Sequence, residues 1–322
     1  MNIKKSILIT LAILFAGSAF AQERWPAKPV RWIVPYAAGG FGDIRARKIG
    51  IDLAKLLGQS VVIENKPGAG GVLGTDFVAK AAPDGYTFGM GNLAPLAVNV
   101  SLMKKLPYDP AKDVAAVILL EKSPLILTAG PGLKANNLQE LVAYAKANPG
   151  RLGFASSGIG GAHHLSGEML RQRSAIDIVH IPYKGGAPAA ADLMAGHVPM
   201  MFEMGYAALP SIKGGKVRAL AVTSATRLAL LPEVPTMAEA GLPGFESYNW
   251  QGVILPAGTP RAIIERLNRE LNAVLAIPEQ RDGIIGNGGE VVGGTPELFR
   301  DFIRSETAKW AQVVRAANIQ PE

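Results

Sequence analysis

The sequence predicts an α/β protein of two lobes, with mostly parallel sheets flanked by helices and two crossovers forming a hinge. Three observations lead there. Short apolar runs alternate with stretches of helical periodicity along much of the chain. The 322 residues exceed one typical domain and can bury a sizeable core in each of two. Two extended segments, far apart in sequence, offer a paired connection between halves, where a few residues can absorb the backbone change on closure.

In chain order, residues 1–21 read as an export signal: Lys4 and Lys5, an apolar run over 7–16, then Ala19-Phe20-Ala21 as a small-x-small cleavage site before Gln22. That run, at ~10 residues, falls short of the ~20 needed to span a bilayer. Residues 30–35 form a strand-like run closed by Gly39-Gly40, and 44–57 follow with helical spacing. The same unit recurs at 60–64 with 71–82, at 86–90 with 94–103, at 151–155 with 162–172 and at 177–181 with 187–195. Such alternation implies largely parallel sheets covered by helices. Asp84-Gly85, Asn148-Pro149-Gly150 and Gly214-Gly215 punctuate the chain as turns. Residues 115–129 are nearly continuous apolar sequence broken by Glu121-Lys122-Ser123-Pro124, which suggests two strands bent at that point. A second extended segment follows at 248–255. With both as crossovers, lobe one comprises 22–120 and 248–322, completed by helices at 261–276 and 296–317, and lobe two comprises 121–247.

Composition removes several function classes. The chain has no cysteine, so disulfides, thiolate nucleophiles and Cys-ligated metal centres are out. Its formal charge is +7, of which Lys4 and Lys5 supply two, leaving a modest positive balance that suits anionic solutes. The cations are scattered with little aromatic interleaving, which argues against nucleic acid.

Three glycine-rich loops share one context, each following a strand-like run and opening a helix: 36–43, 156–164 and 183–187. In open α/β sheets ligands sit beyond the carboxyl ends of strands, where helix N-termini offer unpaired amides and a positive dipole end. With the first loop in lobe one and the others in lobe two, a carboxylate would be gripped from both sides by amides and by hydroxyls such as Ser156 and Ser157. Taken singly, each loop equally suits an ordinary turn and helix start. Asp43 either caps its helix or holds a ligand ammonium or water; Asp192 either braces a loop or meets solvent; Lys184 touches an anion or points outward.

Rival chemistries find less support. Gly89-Met90-Gly91-Asn92-Leu93-Ala94 matches a dinucleotide pattern, but after about the third strand, and no phosphate-binding Gly-Lys-Ser/Thr loop occurs; no cofactor is expected. His164 and Glu168 share a helix face, yet two ligands do not make a metal site. Ser156 or Ser157 with His163 or His164 and Asp192 can be drawn as a hydrolase triad, although no Gly-x-Ser-x-Gly elbow is present, so no catalytic residue is assigned. The alternatives to a binding protein are thus a small-molecule hydrolase using Ser157 and a histidine, or a sensory co-receptor with the same lobes.

Motifs along essentially the whole mature chain resemble the Bug family, the TctC-like substrate-binding proteins of tripartite tricarboxylate transporters. They are Trp25-Pro26, Val34-Pro35-Tyr36 with Gly39-Gly40 and Asp43, Glu64-Asn65-Lys66-Pro67-Gly68-Ala69-Gly70-Gly71, Ala79-Lys80-Ala81-Ala82-Pro83-Asp84-Gly85-Tyr86-Thr87, Pro182-Tyr183-Lys184-Gly185 and Leu255-Pro256-Ala257-Gly258-Thr259-Pro260. The resemblance implies a type II periplasmic-binding-protein fold, a periplasmic and monomeric protein, a small carboxylate ligand and transporter membrane subunits as partners. Carried over by motif, the ligand-binding residues are Tyr36, Ala38, Gly39, Gly40, Asp43, Ser157, Gly160 and His164. Ala69, Asn92, Gly186, Ala187 and Glu203 join them as wall residues. Gly42 stands where the family usually carries a hydroxyl and Glu203 where it often carries aspartate, departures that bear on the ligand mode. Tyr36 and Phe41 suggest room for an aromatic acid.

Overall fold

The computed structural model describes residues 25–317 and 319; the export signal read at 1–21 lies outside them. Strand β1 (Val30–Val34) pairs in parallel with β2 (Val61–Asn65) and β3 (Thr87–Asn92). Helix α1 (Phe41–Leu57) joins the first two strands and α2 (Val72–Ala79) the second pair. Ala46, Ile49, Leu53 and Leu57 recur at helical spacing and are buried, so one stripe of α1 faces the sheet. Gly58 ends the helix at φ 70°, donating its N–H to the Ala54 carbonyl, a conformation that favours glycine.

The periodicity over 94–103 suggests one helix, but the chain instead makes a π-turn over Ala94–Val98 and then α3 (Asn99–Leu102). The Asn99 N–H reaches back to the Ala94 carbonyl, while the Tyr108 hydroxyl donates to the Pro95 carbonyl at 2.8 Å. A tertiary bond thus takes the acceptor that a regular helix would have used.

Residues 114–129 form a single strand, β4 (Val114–Ala129), rather than two strands bent at 121–124. Its first part pairs antiparallel with β9 (Tyr248–Pro256), ending at Pro124↔Tyr248, and with β10 (Glu290–Gly293). From Leu125 it pairs with β7 (Met200–Met204), and from Ile126 also with β8 (Arg218–Val222). The tetrad does not break the strand because its two charged members are paired: Arg45 meets Glu121, and Lys122 meets Glu290 and lies over the Tyr248 ring. Pro124, lacking an N–H, falls where the partner changes.

Beyond that point β5 (Leu152–Ser156) pairs in parallel with β6 (Ile178–Pro182) and β7. Helices α4 (Leu138–Ala147), α5 (Ala162–Ser174), α6 (Gly186–Ala195) and α7 (Gly205–Lys213) belong to this half. After β9 come α8 (Arg261–Leu275), α9 (Pro278–Ile285) and, following β10, α10 (Pro296–Ala316). The ladders are therefore parallel within the strand-helix-strand units and antiparallel wherever β4 or β9 takes part. Trp32, Phe88, Leu120, Val253 and Leu271 fill one face of the first sheet; each such side chain contributes about 1.5–3 kcal/mol through burial. Glu306 accepts from Trp250 Nε1 at 3.1 Å and Trp310 Nε1 at 2.9 Å, anchoring α10 to β9. Arg171 and Gln172 of α5 donate to the Ala317 and Val313 carbonyls, so the end of α10 also touches the second half.

Candidate ligand-binding site

The loop after β1 enters α1 through Gly40, which offers no side-chain cap. Among the described residues the amides of Ala38, Phe41, Gly42 and Asp43 have no protein acceptor, so the helix start presents free donors and its dipole. Gly39 sits at φ 77° and its N–H donates to Asp43 Oδ2 at 2.8 Å. Arg47 Nε donates to the same oxygen at 3.0 Å and its Nη2 lies 2.9 Å from Oδ1. Chiefly through that arginine, the Asp43 carboxyl is pulled down to about 2. Asp43 therefore braces the loop.

Tyr36 faces the Gly68–Gly71 turn: a Cβ on Gly71 would stand 3.2 Å from the Tyr36 hydroxyl, whose ionisation burial pushes up. Ala69 lies in this turn at φ 46° between Gly68 and Gly70, an unusual left-handed alanine. Asn92 ends β3 in register with Gln251 of β9; it is 3 % exposed, and its Nδ2 makes a long bond, 3.4 Å, to the Trp250 carbonyl.

In the second half, Ser157 pairs with His163 Nδ1 at 2.7 Å, while the Gly160 N–H donates to His164 Nδ1 at 3.1 Å. His164 stacks on His180 at 3.9 Å, and Ser156 bonds His180 Nε2 at 2.6 Å. Desolvation lowers His163, His164 and His180 to about 4, 3 and 4, so all three are neutral at pH 7. The histidines and Ser156 thereby fix the loop, and the amides of Ser157, Ile159, Ala162 and His163 have no acceptor among the described residues. Glu203, 2 % exposed, accepts from Thr128 Oγ1 at 3.2 Å, and burial raises its carboxyl.

Several sequence-predicted residues come together. Tyr36, Ala38, Gly39, Gly40, Asp43, Ala69 and Asn92 cluster around the start of α1. Ser157, Gly160 and His164 share the second loop, where a Cβ on Gly160 would stand 2.6 Å from Leu102 of α3. Phe41 stacks on Tyr206 at 5.1 Å, joining the first loop to the start of α7 beside Glu203. Gly186 and Ala187 open α6, where a Cβ placed on Gly186 would meet open space, and this third loop adjoins the second through the Tyr183 N–H, which donates to the Ser156 carbonyl at 3.0 Å. Lys184 is exposed, and Asp192 holds Tyr183 Oη at 2.7 Å and His197 at 3.2 Å.

These partners dismantle the triad drawn from sequence, because Asp192 supports no histidine beside Ser157. Glu168 is held by Arg171 at 2.7 Å and lies 3.9 Å from His164, and no cluster of three metal-ligating side chains occurs among the described residues. Gly89 and Gly91 lie inside β3, where a Cβ would strike Val78 and Leu96 at 2.7 Å; they serve packing, not a phosphate turn. A cavity of about 750 Å³ lies elsewhere, between β4, α8 and α10, with its charged rim paired internally as Arg261–Glu265 and Arg300–Asp301. Sequence reasoning missed Gln251 and Tyr206, which only the fold brings to the first loop.

Known proteins resemble the chain over nearly its full length. Protein BugT of Bordetella pertussis is 40 % identical over 320 residues, 98 % of each chain. The solved structure of R. palustris Rpa4515 with adipate is 36 % identical with a TM-score of 0.84, covering 92 % of this chain and 100 % of that one. MatC of Rhodopseudomonas palustris with bound malate is 35 % identical at a TM-score of 0.80, over 90 % and 100 %. A family model described as the tripartite tricarboxylate transporter family receptor matches residues 45–319. The chain accordingly belongs to the TctC family, whose members are solute-binding receptors and not enzymes.

Proposed function

We propose that the protein captures a small carboxylate between two lobes in the periplasm, after cleavage before Gln22, and presents it to the membrane subunits of a tripartite tricarboxylate-type transporter. The carrying observation is that two uncapped helix starts, at Gly40 and Gly161, keep donors free on loops from different sheets. Relatives of matching fold hold adipate and malate, which supports an acid as the ligand. On this reading lobe one is 22–120 with 248–322 and lobe two is 121–247. The contacts come from Tyr36, Ala38, Gly39, Gly40, Asp43, Ala69, Asn92, Ser157, Gly160, His164, Gly186, Ala187 and Glu203, with the side chains of Asp43 and His164 acting by holding their loops. The protein acts as a monomer.

The test is a thermal-shift screen of the mature chain against mono-, di-, tri- and aromatic carboxylates, with nucleotides and divalent metals as controls. An acid at 100 times its Kd adds about 2.7 kcal/mol. A shift confined to one carboxylate class is the expected result; stabilisation only by a control overturns the reading.

A further inference from the structure

Three buried side chains form one row across the first sheet. Asn92 and Glu121 are each in register with Gln251, and the three are 3 %, 0 % and 1 % exposed in that order. Arg45 satisfies Glu121, with Nε 3.0 Å from Oε1 and Nη2 2.9 Å from Oε2. The Gln251 side chain has no partner among the described residues; its Oε1 and the Asn92 Oδ1 are sealed and unpaired. A polar group left so costs about 1–3 kcal/mol.

Gln251 points at the start of α1. Its Oε1 lies 3.8 Å from where a Cβ on Gly42 would stand, and Val34 and Tyr36 border the same space at 3.7 and 3.9 Å. A Cβ at Gly42 would just touch all three, so the glycine lets Gln251 Oε1 lie directly beside the free amides of Phe41, Gly42 and Asp43. Donors for a carboxylate and unpaired acceptors for something attached to it therefore adjoin.

We infer that Gln251, assisted by Asn92, reads a hydroxyl on the bound acid, and that the substrate class is the hydroxycarboxylates; this rests on the carboxylate reading above. A primary amide suits the task, since its oxygen accepts from a hydroxyl while its NH2 donates to the neighbouring carboxylate. An ammonium group suits it poorly. Asp43 and Glu121, the carboxylates at the start of α1, are already neutralised by Arg47 and Arg45, and Glu203 belongs to the other half, so a cation desolvated beside Gln251 would find only neutral acceptors there.

Calorimetric titration of the mature chain with acid pairs differing by one hydroxyl tests this: succinate and malate, glutarate and 2-hydroxyglutarate, adipate and 2-hydroxyadipate, with aspartate and glutamate as amino analogues. The hydroxy acid of the best-bound pair should bind about 10-fold tighter, equivalent to about 1.4 kcal/mol, and the amino analogue no tighter than the plain acid. Gln251→Met should reduce that ratio to within about 2-fold, weakening the hydroxy acid by more than the plain acid. Asn92→Ala, a milder change, should lower the ratio in the same direction and carries the test if the glutamine variant does not fold. A wild-type ratio near one, a ratio that survives both substitutions, or tightest binding of an amino acid overturns the inference with the carboxylate reading intact. Binding of none of these acids also overturns the inference, and the carboxylate reading then stands or falls by the thermal-shift screen.

Discussion

Gly205→Val tests whether closure of the two halves governs affinity. Gly205 opens α7, and a Cβ there would stand 2.5 Å from the Asn287 carbonyl oxygen and 3.2 Å from Gly288, both in the segment after α9. Ordinary contact begins about 1 Å farther out, and the obstacle is backbone, which cannot rotate aside. Gly205 belongs to the second half and Asn287 to the first, so on the two-lobe reading opening along β4 and β9 would relieve the clash. Overpacking of this kind costs about 1–3 kcal/mol, which here falls on the closed state alone, so the competent fraction drops by about 5- to 150-fold and the apparent Kd rises equally. Titration with the tightest acid from the screen should show that loss. Small-angle scattering should report a larger radius of gyration, with a melting temperature within a few degrees of the parent. Unchanged affinity at unchanged radius would refute the reasoning, and a large fall in melting temperature would show that the clash lies within a packed core.

Two further outcomes follow from buried charge. His163, His164 and His180 titrate at about 4, 3 and 4 when folded, against about 6.5 when unfolded, so the unfolded chain binds more protons between those values. Stability should be full above pH 6.5 and fall as the pH drops toward 4, by up to about 1.4 kcal/mol per histidine and pH unit; urea midpoints flat between pH 7 and 4.5 would contradict the burial of all three. Arg45→Met strands Glu121 without its cation and should cost about 3–5 kcal/mol, with Glu121→Met in the same chain restoring most of it. Urea denaturation of the single and double variants measures both, and a single variant as stable as the parent would show that Glu121 needs no partner.

The glycine loops were legible because their signal is local: Gly40, Gly161 and Gly185 each stand immediately before a helix in a strand-to-helix turn. What escaped the sequence depends on register between distant strands. Gln251 gains its meaning from Asn92 and Glu121, which share its row only through ladders across more than a hundred residues. The interruption at 121–124 looked like a break because Arg45, the cation that satisfies Glu121, is 76 residues away. His163 and His164 are adjacent and chemically identical, so which one meets Ser157 follows from the helix phase set by burial against Phe154 and His180.

β9 also dictates an order of assembly. The ladder through β4, β5, β6, β7 and β8 closes within one uninterrupted stretch of chain, whereas β3 and the early part of β4 must wait for β9, with Asn92 meeting Trp250 across 158 residues. As the polypeptide emerges from its N-terminus, the half with three strands already made remains open until the last quarter of the chain arrives. A polypeptide stopped before Tyr248 keeps every strand of the completed ladder while its earlier half lacks the strand that joins β3 to β4. The unpaired edge of β3 is therefore the surface that a nascent chain leaves exposed longest, and the place where a truncated one would aggregate.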